Sequence, residues 1–497
     1  MSRLPIEFLN DELAGRATRL NDAPVETDGK YVLVWLQQTL RGDDHPAIDA
    51  GVQIANELGI PALVYHGLRE DYPHASARLH AFIIGASREM GRTLRERGIA
   101  CVQHVERPSS KVKGLVYKLA DDAACVVTDA HATFVGNWQA HRFAEKSVKA
   151  VLAVDATRLV PHKLLPSGLS ATKAFRAAHG PLRDQCLAAR AQIDPHVAPY
   201  DGPLPYQPDY LADLNDDAVA KLVAECRIDQ SLPVSVEHPA KAAGVQQRIT
   251  ALTGSIITRY KWTRNNPAET GAGSQLSPYL HFGMTSPFEI MRAIDAADVT
   301  KTVRHKFVDE LLTWREWCHW RVTEKPELIG YQSLPTAAKK TMEAHASDPR
   351  EIVPLSDLIH GKTPDETWNA AQRQWLATGW MHNNLRMYWA KQILGWTESP
   401  QMAWATACYL NDRISLDGRD PATYVMMRWA FGEARPAYSE QPIYGWISTK
   451  GDSALRKRAG VPQWLSNMAS AQVPEISVPE TSDWASMYIE RAFSTPS

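Results

Sequence analysis

Between residues 31 and 154 the chain switches repeatedly between two hydrophobic rhythms, and that alternation limits its fold more than any other feature. Short apolar, β-branched runs occupy residues 31–36 (YVLVWL), 62–65, 100–105, 125–128 and 151–154, with helical patterns between them, such as 46–58 and 75–97. A strand that is apolar on both faces must be covered on both faces. Strand–helix alternation supplies that cover in a parallel sheet. We therefore expect an N-terminal α/β layer that binds ligands beyond the carboxyl ends of its strands. The turn after the first strand, QQTLRGDDHP, contains no G-x-G-x-x-G, so a standard dinucleotide fingerprint is missing there.

The composition changes after residue 194. Five prolines fall within residues 195–208, PHVAPYDGPLPYQP, which predicts a stiff, extended connector. Beyond it the pattern is helical. Ser286-Pro287-Phe288-Glu289 and Thr363-Pro364-Asp365-Glu366 read as hydroxyl N-caps followed by Pro and Glu, and Asp420-Pro421 reads as a third helix start. Further helices are expected over about 303–323 and 381–394. At 497 residues the chain has room for two or three domains. We expect an α/β domain over 1–190, a linker over 191–240, a helical domain over 241–465, and a tail over 466–497 that is ordered only in part at its end.

Charge excludes some functions. Lys+Arg number 54 against 56 Asp+Glu, so the chain is no general nucleic-acid coat, although a local basic groove is compatible. Six cysteines are scattered with no C-x-x-C pair, which points to reduced thiols in a cytoplasmic setting and to no zinc site. No metal-ligand spacing and no hydrolytic triad stands out. No run of 18 apolar residues is present, so no membrane span is expected.

Only Trp35 and Trp138 of the 16 tryptophans precede residue 260. The densest stretch is 368–429. Trp389 and Trp396 are seven apart, on one helix face with Leu385 and Ile393, and Trp368 lies on the preceding helix. Such a stripe is either an apolar core or a set of indoles close enough for electron hopping. The segment Asn411-Asp412-Arg413 to Asp417-Gly418-Arg419-Asp420 is more polar than a core tolerates. It reads as a solvated loop, a cap, or a frame for a polar ring, with Arg386 able to pair with Asp417. Residues 271–283, GAGSQLSPYLHFG, offer backbone donors suited to phosphate oxygens. His281 within that run reads as a packed core residue. Glu316 and Trp320, four apart on one helix face, suit a pocket that stacks and hydrogen-bonds a base.

Taken together, YVLVWLQQTLRGDDHPAI, LSPYLHFG, WNAAQ, RMYWAKQILGW and NDRISLDGRDP resemble the photolyase/cryptochrome family, and within it the class II cyclobutane pyrimidine dimer photolyases. These motifs run in the family's order from about residue 30 to 450. The resemblance implies an N-terminal α/β antenna domain and a C-terminal helical domain that binds FAD. It implies that Tyr260, Ser274, Gln275, Leu276 and Ser277 hold the ribityl and phosphate parts. Arg386 and Asp417 then form a salt bridge over the isoalloxazine, with Asn411 near N5 and Asp420 at the ring edge. Trp389, Trp368 and Trp396 become the photoreduction chain. Arg264, Asn265, Glu316, Trp320, Met387 and Trp429 line the dimer pocket.

The implied activity is light-driven repair of double- or single-stranded DNA by a monomer, in the cytoplasm and at the nucleoid. Reduced FAD passes an electron to a flipped-out dimer, and 8-hydroxy-5-deazaflavin is the expected antenna. A cryptochrome-like photoreceptor is the alternative. Asn383-Asn384, Ile414-Ser415-Leu416 and Gly273 depart from the family's usual residues.

Overall fold

The structure is a computed structural model that describes residues 3–269, 271–433, 439–480 and 482–490. Its N-terminal part is a six-stranded sheet: β1 (Ala17–Arg19), β2 (Tyr31–Leu36), β3 (Ala62–Leu68), β4 (Ala100–Val105), β5 (Ala123–Asp129) and β6 (Val151–Val154). The spatial order is β1-β6-β5-β2-β3-β4. All neighbours are parallel except β1, which pairs antiparallel with β6 through Ala17 opposite Val154. Every residue of β2 and β5 is buried, as an apolar strand in a doubly covered sheet requires.

The helix Pro46–Leu58 shows why such elements could be read from sequence. The His45 ring accepts the N–H groups of Ala47 and Ile48, Pro46 opens the first turn, and Gly59 closes the helix at φ 67°.

The remaining described chain is helical and folds back onto the sheet. Arg78, fully buried, donates to the carbonyls of Pro233, Trp375, Leu376 and Ile414, tying the helix Ala77–Glu96 to the tryptophan-rich region. Among the described residues, no helix is long and apolar enough to cross a membrane.

Several elements differ from the sequence reading. The helix expected to start with Thr363 as cap begins at Glu366, because Asp365 accepts the Trp368 N–H at 2.9 Å. Within the span expected as linker, Asp216–Glu225 is a helix packed on Ala77–Glu96. The helix Val461–Ser470 crosses the expected boundary at 465, and the tail carries a further helix, Asp483–Ile489. The second docks against Pro400–Ile414, where the Tyr488 hydroxyl donates to Asp412 at 3.0 Å. The expectation for the very end of the tail concerns residues 491–497, which lie outside the described residues. The helix expected over 303–323 is three joined pieces: α-helix Lys301–Val308, a π-helical stretch Asp309–Arg315, and α-helix Glu316–Glu324.

Candidate functional site

A cavity of about 300 Å³ opens among the helical segments, close to the lower end of the range for ligand pockets. One wall comes from the Gly-Ser-rich turn, where Gly273, Ser274, Gln275, Leu276 and Ser277 line it. Gln275 sits at φ 53°, a left-handed conformation uncommon for a residue with a Cβ. Gly273 has open space where a Cβ would stand. Tyr260 lines the cavity beside them, its ring edge-on to Phe307 at 5.3 Å.

The second wall is charged. Arg386, on the helix Asn383–Trp396, pairs with Asp417 at 3.0 Å, and the Ser415 hydroxyl donates to the same carboxylate oxygen at 2.5 Å. Burial pushes the Asp417 carboxyl up, but the Arg386 cation and the Ser277 and Ser415 hydroxyls outweigh it and hold the group below the ordinary carboxylate range. Asp420 caps the helix Pro421–Ala430 through the Ala422 N–H at 2.8 Å. Its two oxygens face His281 and His319, each at 3.3 Å. Burial raises this carboxyl too, but the two imidazoles more than reverse it, and Asp420 sits well below its usual value.

Gly418 lets this loop lie flat on the preceding helix. A Cβ there would stand 2.7 Å from the Asn411 carbonyl oxygen and 2.9 Å from the Asp412 Cα. The polar cluster is therefore a buried frame and no solvated loop. Asn411 is fully buried behind Thr423, with its Nδ2 donating to Asp412 at 3.3 Å, and it does not line the cavity itself.

The third wall corrects the sequence reading. Glu316 and Trp320 are not at the cavity. Glu316 is fully buried, accepts the Leu159 N–H at 2.7 Å and contacts the His179 imidazole at 2.8 Å, so it ties the chain after β6 to the helix. Trp320 packs in the core near Phe175 and His162. The cavity is lined instead by Glu310 and Trp314, which repeat the same four-residue spacing six positions earlier. Six residues is not a whole number of helical turns, so the two pairs face different directions. The π-helical stretch Asp309–Arg315 shifts the phase further and carries the lining pair, as π-helical turns often do at functional sites. The second Glu-x-x-x-Trp in the same run was the signal that the sequence reading passed over.

Glu310 is held between Arg264 at 3.0 Å and Lys306 at 2.6 Å. Arg264 and Met387 line the cavity. Asn265 does not line it; its carbonyl accepts the Asn384 Nδ2 at 3.0 Å. Trp429 stands edge-on to Trp314 at 5.1 Å and 83°, behind the lining residue.

The indoles form a contiguous set. Trp389 stacks on Trp368 at 5.7 Å and 10°, and Trp368 meets Trp396 edge-on at 5.5 Å. Trp389 and Trp368 are fully buried and Trp396 is half-buried. Trp375 is edge-on to Trp389 at 5.2 Å and lies under the Arg386 guanidinium at 5.4 Å.

No family model matches the chain. A deoxyribodipyrimidine photo-lyase of Methanothermobacter thermautotrophicus is 29% identical over 457 residues, covering 91% of this chain and 97% of the relative. The enzyme of that name from Arabidopsis thaliana is 29% identical over 469 residues, covering 90% of each. The one from Potorous tridactylus is 35% identical over 270 residues, 50% of this chain and 47% of the relative. A class III photolyase from Agrobacterium tumefaciens shares the fold with TM-score 0.64 at 17% identity, over 88% of this chain and 86% of its own. A Synechocystis cryptochrome follows with TM-score 0.62 at 14% identity, over 90% and 89%.

Proposed function

We propose that the chain is a member of the photolyase/cryptochrome family and a light-driven DNA repair enzyme, a carbon–carbon lyase that splits cyclobutane pyrimidine dimers with the help of FAD. The observation that carries this reading is the two-sided build of one cavity, with a charged Arg386–Asp417–Asp420 frame on one side and Glu310 with Trp314 on the other. Membership of the class II branch rests on the RMYWAK and LDGRDP motifs.

The residues present fit the cofactor. The Arg386 Nε atom, on a residue that lines the cavity, is buried without a protein partner among the described residues, and buried polar atoms need one. Tyr260, Ser274, Gln275, Leu276 and Ser277 would hold the ribityl and phosphate parts. Arg386 and Asp417 would hold the ring system, with Asp420 toward its edge and Asn411 behind Thr423. Held there in its reduced state, FAD would supply light-driven one-electron chemistry for opening the cyclobutane ring.

The protein's own part is placement and electrostatics. Asp417 fixes the Arg386 cation at the cavity wall, and Asp420, held between His281 and His319, keeps its carboxyl well below the ordinary range. Trp314, braced by Trp429, offers an aromatic wall for an extruded base, and Met387 adds an apolar contact. Arg264 and Lys306 put positive charge where phosphates approach, and Glu310 between them offers a carboxylate to pyrimidine N–H groups. Trp389, Trp368 and Trp396 would resupply electrons from the half-buried end.

A second cavity, about 370 Å³, lies at the carboxyl ends of β2 and β3, with Gln37, His66, Arg69 and Trp138 in its wall. We place the antenna there, with 8-hydroxy-5-deazaflavin as the class II expectation. We read the protein as a monomer acting on dimers in double- or single-stranded DNA, in the cytoplasm and at the nucleoid. A photoreceptor without repair would share the flavin frame, whereas the Glu310–Trp314 wall favours repair.

Binding in the dark followed by light tests the reading. The reduced protein should bind a dimer-containing duplex at least about tenfold more tightly than undamaged DNA, because an unstacked lesion flips out cheaply, and illumination should release it. Equal affinity for both duplexes, unchanged by light, would sink it.

A further inference from the structure

Resting on that reading, we propose that Gln372 is a positioning residue of the tryptophan path: it eases oxidation of Trp389 and keeps the oxidised indole protonated. The helix Glu366–Thr378 places Trp368, Gln372 and Trp375 at i, i+4 and i+7, on one face. Gln372 is fully buried. Its Oε1 accepts the Trp389 Nε1–H at 2.9 Å, and its own Nε2 donates to the Ile359 carbonyl at 2.9 Å. The amide can sit only one way round. Flipped, two donors would face each other at Trp389 and two acceptors at Ile359.

Removing an electron from an indole makes its N–H far more acidic and gives it positive charge. An acceptor already aimed at that N–H then holds the cation more strongly than the neutral ring, because hydrogen bonds to charged groups are the stronger ones. An amide oxygen is too weak a base to take the proton. The vacancy at Trp389 therefore stays a mobile cation. Trp368 repeats the device, its Nε1–H donating to the Trp389 carbonyl at 3.0 Å, again an amide oxygen.

Trp375 touches Trp389 as closely as Trp368 does, yet it is a poor exit. Its Nε1 is buried without a partner among the described residues, and the Arg386 guanidinium over its ring opposes a second positive charge. The electrostatics direct the vacancy toward Trp368 and the half-buried Trp396. The steps balance as single electrons. One leaves Trp389 for the photo-excited oxidised flavin. Trp368 gives one to Trp389, Trp396 gives one to Trp368, and a thiol in solvent returns one to Trp396. No proton moves at Trp389 or Trp368.

Two variants of the flavin-loaded protein test this by transient absorption and electron paramagnetic resonance. Gln372→Met keeps the volume and deletes the acceptor. It should lower the photoreduction yield per bound flavin roughly fivefold, while repair by chemically pre-reduced protein is unchanged. A role confined to packing would lower flavin content and stability but not the yield per flavin. Trp368→Phe strands the vacancy on Trp389 and keeps Gln372, so it stays informative if Gln372→Met folds poorly. Its trapped radical should show the protonated-cation signature. A neutral indolyl radical in Trp368→Phe, or an unchanged yield in folded Gln372→Met, would overturn the proposal. Absence of any indole radical in the unmodified protein would overturn the tryptophan path as well, which separates failure of the path from failure of Gln372.

Discussion

Breaking the Arg386–Asp417 pair is the sharpest test of the cavity's charged wall. In Arg386→Met the Asp417 carboxylate remains buried with only the Ser415 and Ser277 hydroxyls beside it. At 3.0 Å and an effective dielectric of about 20 the lost attraction is about 5.5 kcal/mol before any desolvation is counted. Removing one partner of a buried pair costs about 3–5 kcal/mol, because the other charge is left uncompensated. We expect flavin-free Arg386→Met to lose that much stability at pH 7 in urea unfolding.

The double variant Arg386→Met/Asp417→Asn should recover most of it, with a coupling energy of about 3 kcal/mol. The pH dependence has a definite sign. In the unmodified protein Asp417 is held below its ordinary value, so its contribution is present above about pH 4 and is lost as pH falls through the folded-state value. In Arg386→Met burial acts without the cation and raises the carboxyl. The deficit relative to the unmodified protein should therefore shrink on acidification. A cost under about 1 kcal/mol, or a coupling energy near zero, would refute the claim that this pair is a buried, mutually dependent frame.

Other substitutions separate the walls. Trp389→Phe should slow photoreduction of oxidised flavin while leaving repair by pre-reduced protein intact, measured by flavin absorbance under blue light. Trp314→Ala should weaken binding of dimer-containing DNA by about 1–3 kcal/mol, the value of one base stacked on an aromatic ring, in a fluorescence titration in the dark. Glu316→Gln should leave DNA affinity unchanged and lower the unfolding midpoint, because it weakens the His179 contact that joins the chain after β6 to this helix. Gly273→Ser should fold normally, since no atom lies within 4 Å of its new Cβ, and should retain flavin at least as well through dialysis.

The sheet was legible in the sequence because its central strands are apolar throughout. β2, β4 and β6 run over the expected residues, and the helix Pro46–Leu58 carries its own punctuation in His45, Pro46 and Gly59. β1 was not legible: Ala17–Arg19 is short, and it is a strand only because β6 lies beside it. At the site, the Asp-Gly-Arg-Asp cluster and the Gly-Ser-rich turn stood out through density of polar and small residues where a core would exclude them. Helical periodicity assumes 3.6 residues per turn, and the π-helical stretch Asp309–Arg315 breaks that assumption where the choice lay between Glu310 with Trp314 and Glu316 with Trp320. Spacing put Trp389 and Trp396 on one face, but not the ring that lies between them. Trp368 enters from the neighbouring helix, a tertiary contact that no local pattern encodes.

The most direct test of the central claim is the absorbance of dimer-containing DNA mixed with chemically pre-reduced, flavin-loaded protein, followed in the dark and then under blue light. The account predicts no change in the dark and recovery of pyrimidine absorbance near 260 nm only under light, reaching many turnovers per flavin. Dimers that persist under light, with reduced flavin still bound, would contradict it.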